Sequence, residues 1–581
     1  MSDQTGDNTG VFAPAKPYSE AEQNHPFAKF EPGTRALPAG FQVGERYMPL
    51  PQDLIFEKDT AVQLRNGTTI YTDIFRPVGE GPFPVIVAWS PYGKTSGTDS
   101  RYVTLRDFVG VDQSKLSGLM KWEAPDPAYW CAQGYAVANP DPRGAGMSEG
   151  DIQFFNEQDG RDAYDFIEWI AQQPWCTGKV GMSGNSWLAV VQWFAAAEQP
   201  PHLDAIAPWE GFSDVYRDFI APGGIPDPGF PQGIAGEFTG PNNYEDLTAS
   251  LAKHPLFNDY WAAKAAKLEQ ITIPTFVSSA YTNTVHTAGT FRAWRRLASE
   301  QKWLRIHNHV EWDDYYDPAS QRDLQRFFDR FLKDADNDWD QTPRVRYSLL
   351  DLEDGDTVGI PAAQFPPDGS TRTPFYLDST ALTASLPEAE GRSEYQAEDG
   401  RAEFTVTFDE QTQLVGYPTV KLWVEADGYD DMDLFVFLQK LDRDGNHLAP
   451  QNSHINHPQV EIAAQTTASV LKYKAVPGRL RVSLRALDPE LSAPDLPVPS
   501  CTTAEKLKQG QIVPVEIALY AVGMALHPGE QLRLIVTGQN IIGTQMPFAK
   551  PTPPDNHGRH IIHTGGQYDS QLVLPILKRG A

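Results

Sequence analysis

Over the first 340 positions, apolar residues come in short, nearly unbroken blocks. Pro84-Val85-Ile86-Val87-Ala88-Trp89 is one, and Tyr135–Ala138, Val180–Met182, Ala205–Ala207, Thr275–Ser278 and Trp303–Ile306 follow it. Blocks this short and this apolar predict strands buried on both faces, as in a parallel sheet. Helix-like stretches, Gly160–Gln172 and Trp187–Glu198, separate several of them. The alternation predicts an α/β fold with a parallel sheet. Ahead of it, Leu54–Pro77 alternates apolar and polar residues around Asn66-Gly67, the pattern of a hairpin. Arg322–Lys333 is expected to form a helix closing the domain.

Two stretches break the rhythm. Gly211–Glu269 contains a Gly/Pro-rich piece, Pro222-Gly223-Gly224-Ile225-Pro226, and helix-forming residues from Tyr260 to Leu268. An insertion here lies over the C-terminal ends of the strands, as a cap. From Thr373 onward the chain turns to short alternating runs, among them Val415–Val424, Asp433–Gln439, Val515–Leu519 and Gln531–Thr537. Such runs predict an antiparallel β-sandwich. The expected organisation is an N-terminal arm over 1–50 and an α/β domain over 51–210 and 270–345. A helical cap spans 211–269 and a β-sandwich domain 346–581.

Composition narrows the function classes. With 581 residues and 40% hydrophobic content, the chain is long enough for several cores. A net charge of −28 argues against nucleic acid and anionic membranes as partners. No apolar run approaches the length of a membrane span, and the first residues lack a signal-peptide core. The three cysteines, Cys131, Cys176 and Cys501, offer neither a disulfide framework nor zinc-ligand spacing, which suits a cytoplasmic location. No metal site and no cofactor is expected, and self-association is left open.

The chemistry centres on Lys179-Val180-Gly181-Met182-Ser183-Gly184-Asn185-Ser186-Trp187-Leu188-Ala189. An apolar strand, small residues, a serine and then a helix make a nucleophile elbow, which pushes one hydroxyl out of the sheet. Leu188 breaks the strict G-x-S-x-G pattern. Ser183 still belongs to the strand, whereas Ser186 sits at the corner and is the expected nucleophile. The competing reading is a serine that only caps a helix. An acyl-transfer enzyme also needs donors for the oxyanion. The Trp187 backbone N–H is the expected first one, and Tyr92, in Trp89-Ser90-Pro91-Tyr92-Gly93-Lys94, could supply a second.

Around the elbow lie Asp141-x-Arg143-Gly144-x-Gly146-x-Ser148-x-Gly150, Glu168-Trp169, and Gln173-Pro174-Trp175-Cys176-x-Gly178-Lys179-Val180-Gly181-Met182. Pro91-Tyr92, Arg481-Val482-Ser483-x-Arg485 and His527-Pro528-Gly529 complete the set. With these motifs the chain resembles the cocaine esterase / X-prolyl dipeptidyl aminopeptidase family, which includes cephalosporin acylases and α-amino-acid ester hydrolases. The resemblance runs from about Leu54 to near the C-terminus. It implies an α/β-hydrolase core, a helical cap, a jelly-roll-like C-terminal domain, Ser186 as nucleophile and Tyr92 as oxyanion donor.

A serine nucleophile needs a base, and the base an orienting acid. The family places Asp in a Gly-Trp-x-Asp pattern after the strand Thr275–Ser278, where this chain reads Ser279-Ala280-Tyr281-Thr282-Asn283. The family's histidine follows the next strand, where this chain has Glu311. Two repairs are open. Either His286 is the base and Glu311 its partner, the two having exchanged loops, or His309 or His307 is the base and Glu210 the acid. The first is preferred. Asp313, Asp314 and Asp317 read as a solvated acidic face, His202 and His254 as structural, and Trp209, Phe212 and Tyr281 as pocket-shaping aromatics. The expected activity is hydrolysis of an ester or amide of a small or medium acyl substrate through an acyl-enzyme. Acyl transfer and a non-catalytic binding protein are the alternatives.

Overall fold

The computed structural model describes residues 8–19, 25, 27, 29–79, 81–450, 452, 470–544, 546 and 548–578. Residues 1–7 of the expected arm lie outside the described residues. Within the arm, β1 (Phe12–Pro14) pairs with a cap strand and β2 (Gly33–Leu37) joins the main sheet.

The expected hairpin is β3 (Leu54–Gln63) and β4 (Thr69–Pro77), turning at Gly67 with φ 86°. The buried blocks become β5 (Phe83–Val87), β6 (Ala136–Asp141), β7 (Cys176–Asn185) and β8 (Leu203–Trp209). After the cap strand β9 (Asn243–Glu245) come β10 (Thr275–Ala280), β11 (Lys302–His307), β12 (Val345–Leu349) and β13 (Thr357–Ala362). In space the sheet runs β13-β12-β11-β10-β8-β7-β5-β6-β4-β3-β2. From β12 to β6 all neighbours are parallel; the antiparallel pairs lie at the two ends.

Covering on both faces explains the unbroken apolar blocks. Helices Glu157–Ala171 and Trp187–Ala197 pack on the sheet, and the second is buried almost all round, as its uniformly apolar sequence requires. They cross closely at Gly160, where a Cβ would lie 2.6 Å from the Phe194 carbonyl oxygen. Gly160→Ala is therefore expected to cost about 1–3 kcal/mol, read as a lower denaturation midpoint, despite the better helix propensity of alanine. The helix expected near Arg322–Lys333 begins earlier, at Pro318, and runs to Leu332. Asp317 caps it, accepting from the Ala319 and Ser320 N–H groups. Phe328 and Leu332 of this helix fill the space over Gly181 in β7.

The segment between β8 and β10 folds as short helical pieces over the sheet: Val215–Ile220, Gly229–Ala235, Leu247–Lys253 and Asp259–Ala262. The helix expected from Tyr260 to Leu268 thus stops at Ala262. Lys264 explains the stop. Its buried ammonium donates to the Phe154 carbonyl at 2.9 Å and to Glu245 Oε2 at 2.7 Å, and Ala265 bridges to Asp214. A buried cation needs those partners more than the chain needs another helical turn.

Beyond β13, strands from Ser370 to Leu577 form a second, largely antiparallel sheet, of 14 strands among the described residues, around a separate core that includes Leu422, Val436, Leu534 and Ile562. Its pairing and burial are those of a β-sandwich. The two domains meet closely at Gly523, where a Cβ would fall 2.2 Å from the Ser348 carbonyl oxygen and 2.5 Å from the Tyr281 hydroxyl.

Candidate active site

Strand β7 ends at Asn185, and the helix opens at Trp187. Ser186 between them has φ 55° and ψ −118°, a conformation that side-chain-bearing residues adopt only under constraint. Two backbone bonds supply it: Ser186 N–H donates to the Glu210 carbonyl at 3.1 Å, and Asn185 N–H to the Glu123 carbonyl at 3.1 Å. Gly184, at φ 139°, has no room for a Cβ, which would stand 2.5 Å from Leu188 Cβ. Leu188, the residue that breaks the motif, thus packs over a glycine inside the elbow. Ser183 is buried, its hydroxyl 2.8 Å from that of Tyr315.

Ser186 lies at the wall of a cavity of about 780 Å³. His286 reaches it from the turn after β10, with Nε2 3.1 Å from Ser186 Oγ. The Asn283 side-chain oxygen accepts from the Val285 and His286 N–H groups at 3.0 and 3.1 Å and shapes that turn. The imidazole stacks on Phe212 at 5.5 Å. Burial lowers its pKa to about 3, so the ring is neutral at physiological pH. Its Nδ1 is buried without a hydrogen-bond partner. Tyr92, just past β5, lines the same cavity as Ser186, and burial raises its pKa well above the ordinary phenol value. The Trp187 N–H heads its helix, so it has no acceptor within the helix.

Glu311 starts the helix Glu311–Tyr316 and lines the same cavity. One oxygen of its carboxyl is buried without a hydrogen-bond partner, and burial raises its pKa to about 8. No hydrogen bond joins it to His286. A second carboxyl, Glu123, also faces the cavity. The Trp312 indole N–H donates to Glu123 Oε1 at 2.7 Å, Oε2 has no partner, and burial followed by the charge of Glu311 raises its pKa. Lys94 bridges Asp59 at 3.0 Å and Asp141 at 3.2 Å, tying the Tyr92 loop to the Gly-rich loop after β6.

The structure therefore gathers Ser186, His286, Tyr92 and Glu311 on one cavity, with the Trp187 N–H next in the chain after the serine. The other expected pair also meets, but elsewhere: His307 Nε2 is 2.8 Å from Glu210 Oε1. Neither His307 nor His309 lines the Ser186 cavity; both line a separate one of about 270 Å³ with Arg305 and Asp314. The solvated acidic face needs correction at Asp314, which is buried and ion-paired with Arg305, because that guanidinium is largely withdrawn from solvent and needs a counter-charge. The expected pocket aromatics are also corrected. Trp209 packs against Phe276 and Tyr315, Phe212 behind His286, and Tyr281 against Phe291; none lines the cavity. Its aromatic walls come instead from Tyr102, Phe108, Trp122, Phe230, Phe238 and Trp312. His202 and His254 are held by Glu168 and by the Thr9 carbonyl, as structural residues are.

Sequence reasoning passed over Asn283 and Glu123. The first was open to detection, since it occupies the aspartate position of the Gly-Trp-x-Asp pattern. The second carries no motif.

Comparison with known proteins places this geometry. Residues 66–243 match the family described as X-Pro dipeptidyl-peptidase (S15 family), and residues 337–573 match its C-terminal non-catalytic domain. A cocaine esterase from Rhodococcus is 34% identical over 166 residues, 28% of this chain and only 25% of the esterase's length. A crystal structure of a CocE/NonD family hydrolase from Staphylococcus aureus is 35% identical, with a TM-score of 0.86 over 95% of this chain and 98% of that one. An α-amino acid ester hydrolase shares the fold, with a TM-score of 0.63 at 17% identity over 99% of this chain and all of that one. With a solved relative matched along nearly its whole length, the chain belongs to the CocE/NonD family of hydrolases, as a serine hydrolase of the esterase/peptidase class.

Proposed function

We propose that Ser186 forms an acyl-enzyme with an ester or amide substrate and that His286 is its base. The observation carrying this is the 3.1 Å approach of His286 Nε2 to the hydroxyl of a serine held at positive φ. His286 accepts the Oγ proton as the oxygen attacks the carbonyl carbon, then returns it to the leaving group. In this reading the oxyanion accepts from the Tyr92 hydroxyl and from the Trp187 N–H, the donor next in the chain after the nucleophile. Water enters by the same steps and releases the acid. Glu311 is the carboxyl we assign to the imidazolium. At rest its burial disfavours charge, and a proton gained by His286 shifts that balance toward the carboxylate. The large aromatic-walled cavity suits an uncharged acyl group of small or medium size. The absence of disulfides among the three cysteines supports a reducing, cytoplasmic setting.

The test is labelling with a fluorophosphonate followed by peptide mapping. One adduct on Ser186 is expected, lost in Ser186→Ala; labelling elsewhere, or none, sinks the proposal. Tyr92→Phe tests the oxyanion assignment. It should lower kcat about 10²-fold with little change in KM, because the bond it removes strengthens only as charge develops.

Glu311 also has a stability signature. Its folded pKa of about 8 stands above its ordinary 4.5, so the folded state binds more protons between these values and stability falls as pH rises through that window. Glu311→Gln removes this cost. Relative to wild type it should melt at the same temperature near pH 4.5 and about 1–3 °C higher near pH 8.5. An equal shift at both pH values would place the effect in packing instead.

A further inference from the structure

The turn that carries His286 is held from two sides. From within, the Asn283 side chain binds the Val285 and His286 N–H groups. From outside, the Tyr520 hydroxyl donates to the Thr284 carbonyl at 2.9 Å. Tyr520 belongs to the C-terminal domain, 236 residues further along the chain. Its own backbone is fixed through Tyr520 N–H to the Pro477 carbonyl at 3.0 Å. Its side chain lines one cavity with Arg479, whose guanidinium makes an ion pair with Asp227 of the cap at 2.6 Å. The cap approaches that same strand so closely that a Cβ on Gly223 would lie 2.1 Å from the Arg479 carbonyl oxygen. Cap, C-terminal domain and His286 turn therefore meet around Tyr520.

Its location separates two roles. Val285 lies between two cavities: it lines the Ser186 cavity and also a second one of about 350 Å³, which Thr284, Tyr520, Asp227 and Arg479 line with it. Tyr520 does not line the Ser186 cavity, so it has no place against substrate there. It acts on the backbone two residues before the imidazole.

We propose that Tyr520 is a positioning residue for His286, through which the C-terminal domain aims the imidazole at Ser186. The proposal rests on the reading of His286 as the base. It gives a domain whose family description is non-catalytic a direct hold on catalytic geometry. A base whose Nδ1 lacks a hydrogen-bond partner depends on its backbone for orientation, because no bond on the far side of the ring fixes it. Small displacements of a general base are costly, since the near-attack geometry tolerates little error.

Tyr520→Phe removes the hydroxyl and keeps the ring. Turnover of an activated ester and the rate of fluorophosphonate labelling are measured for wild type and variant, both normalised to titrated active sites so that any unfolded fraction drops out. We expect kcat and the labelling rate to fall together by about tenfold, with KM within about twofold. Equal labelling rates, or a change confined to KM or to melting temperature, would overturn the positioning role and leave the Ser186–His286 assignment intact. Failure of the wild type itself to label would remove the hydrolase reading and this inference with it.

Discussion

Ser186→Ala is expected to reduce hydrolysis of an activated ester by about 10⁵–10⁶-fold, because the nucleophile is the one group whose role no neighbour can take over. The fold should survive. Ser186 is buried, and the backbone bonds that shape the elbow, Ser186 N–H to the Glu210 carbonyl and Asn185 N–H to the Glu123 carbonyl, do not involve its side chain. Alanine keeps a Cβ at φ 55°, so the local strain remains. Ser186→Gly separates strain from chemistry. It should be equally inactive yet melt higher than Ser186→Ala, because glycine adopts positive φ without the steric penalty of about 1–2 kcal/mol. That ordering, inactive glycine above inactive alanine, is read by calorimetry. A reversed order would mean that packing of the Cβ outweighs strain at the elbow.

The architecture was legible because burial leaves a coarse mark. Strands covered on both faces must be apolar throughout, so β5, β7, β8, β10 and β11 announce themselves in blocks such as Val85–Trp89 and Ala205–Ala207. The elbow was legible for a related reason: backbone crowding at Gly184 leaves no choice of residue. Long-range pairing leaves no such mark. Nothing local to Glu123 indicates that its carbonyl receives the Asn185 N–H or that its carboxyl meets the Trp312 indole, 189 positions away. The cap helix failed in the same way, since Lys264 is an ordinary helix former until Glu245 is found beside it. The pocket aromatics are not legible in the sequence, because position on a loop after a strand does not say which way a ring turns. Trp209 and Tyr281 both face packed neighbours instead of the cavity. His286 is marked in the sequence only as a histidine in a loop that lacks its usual acid. The motif pointed to a missing group, and only three-dimensional proximity identifies what fills the gap.

His286→Ala is the second large effect, and its comparison with His307→Ala decides between the two histidines. Loss of the base should lower kcat about 10⁴-fold, with folding intact. His307→Ala should do the reverse. It leaves turnover within a few fold but takes from the buried Glu210 carboxyl its 2.8 Å hydrogen-bond partner, at a cost of about 1–3 kcal/mol in stability. The pH dependence adds an independent signature. A free-enzyme histidine with an ordinary pKa would produce an acid limb in kcat/KM near 6.5. Burial holds His286 neutral down to about 3, so kcat/KM should stay flat from pH 7 to about 5 where the fold persists. Stability carries the opposite sign from the Glu311 effect. The unfolded imidazole binds a proton below 6.5 that the folded one refuses, so the unfolded state takes up more protons and stability falls as pH drops from 6.5 toward 3. His286→Ala removes that cost, and the variant should lose less melting temperature than wild type between pH 6.5 and 4.5. A dead His307→Ala enzyme beside an active His286→Ala enzyme would return the base to the loop after β11 and leave His286 as a ring that only packs against Ser186.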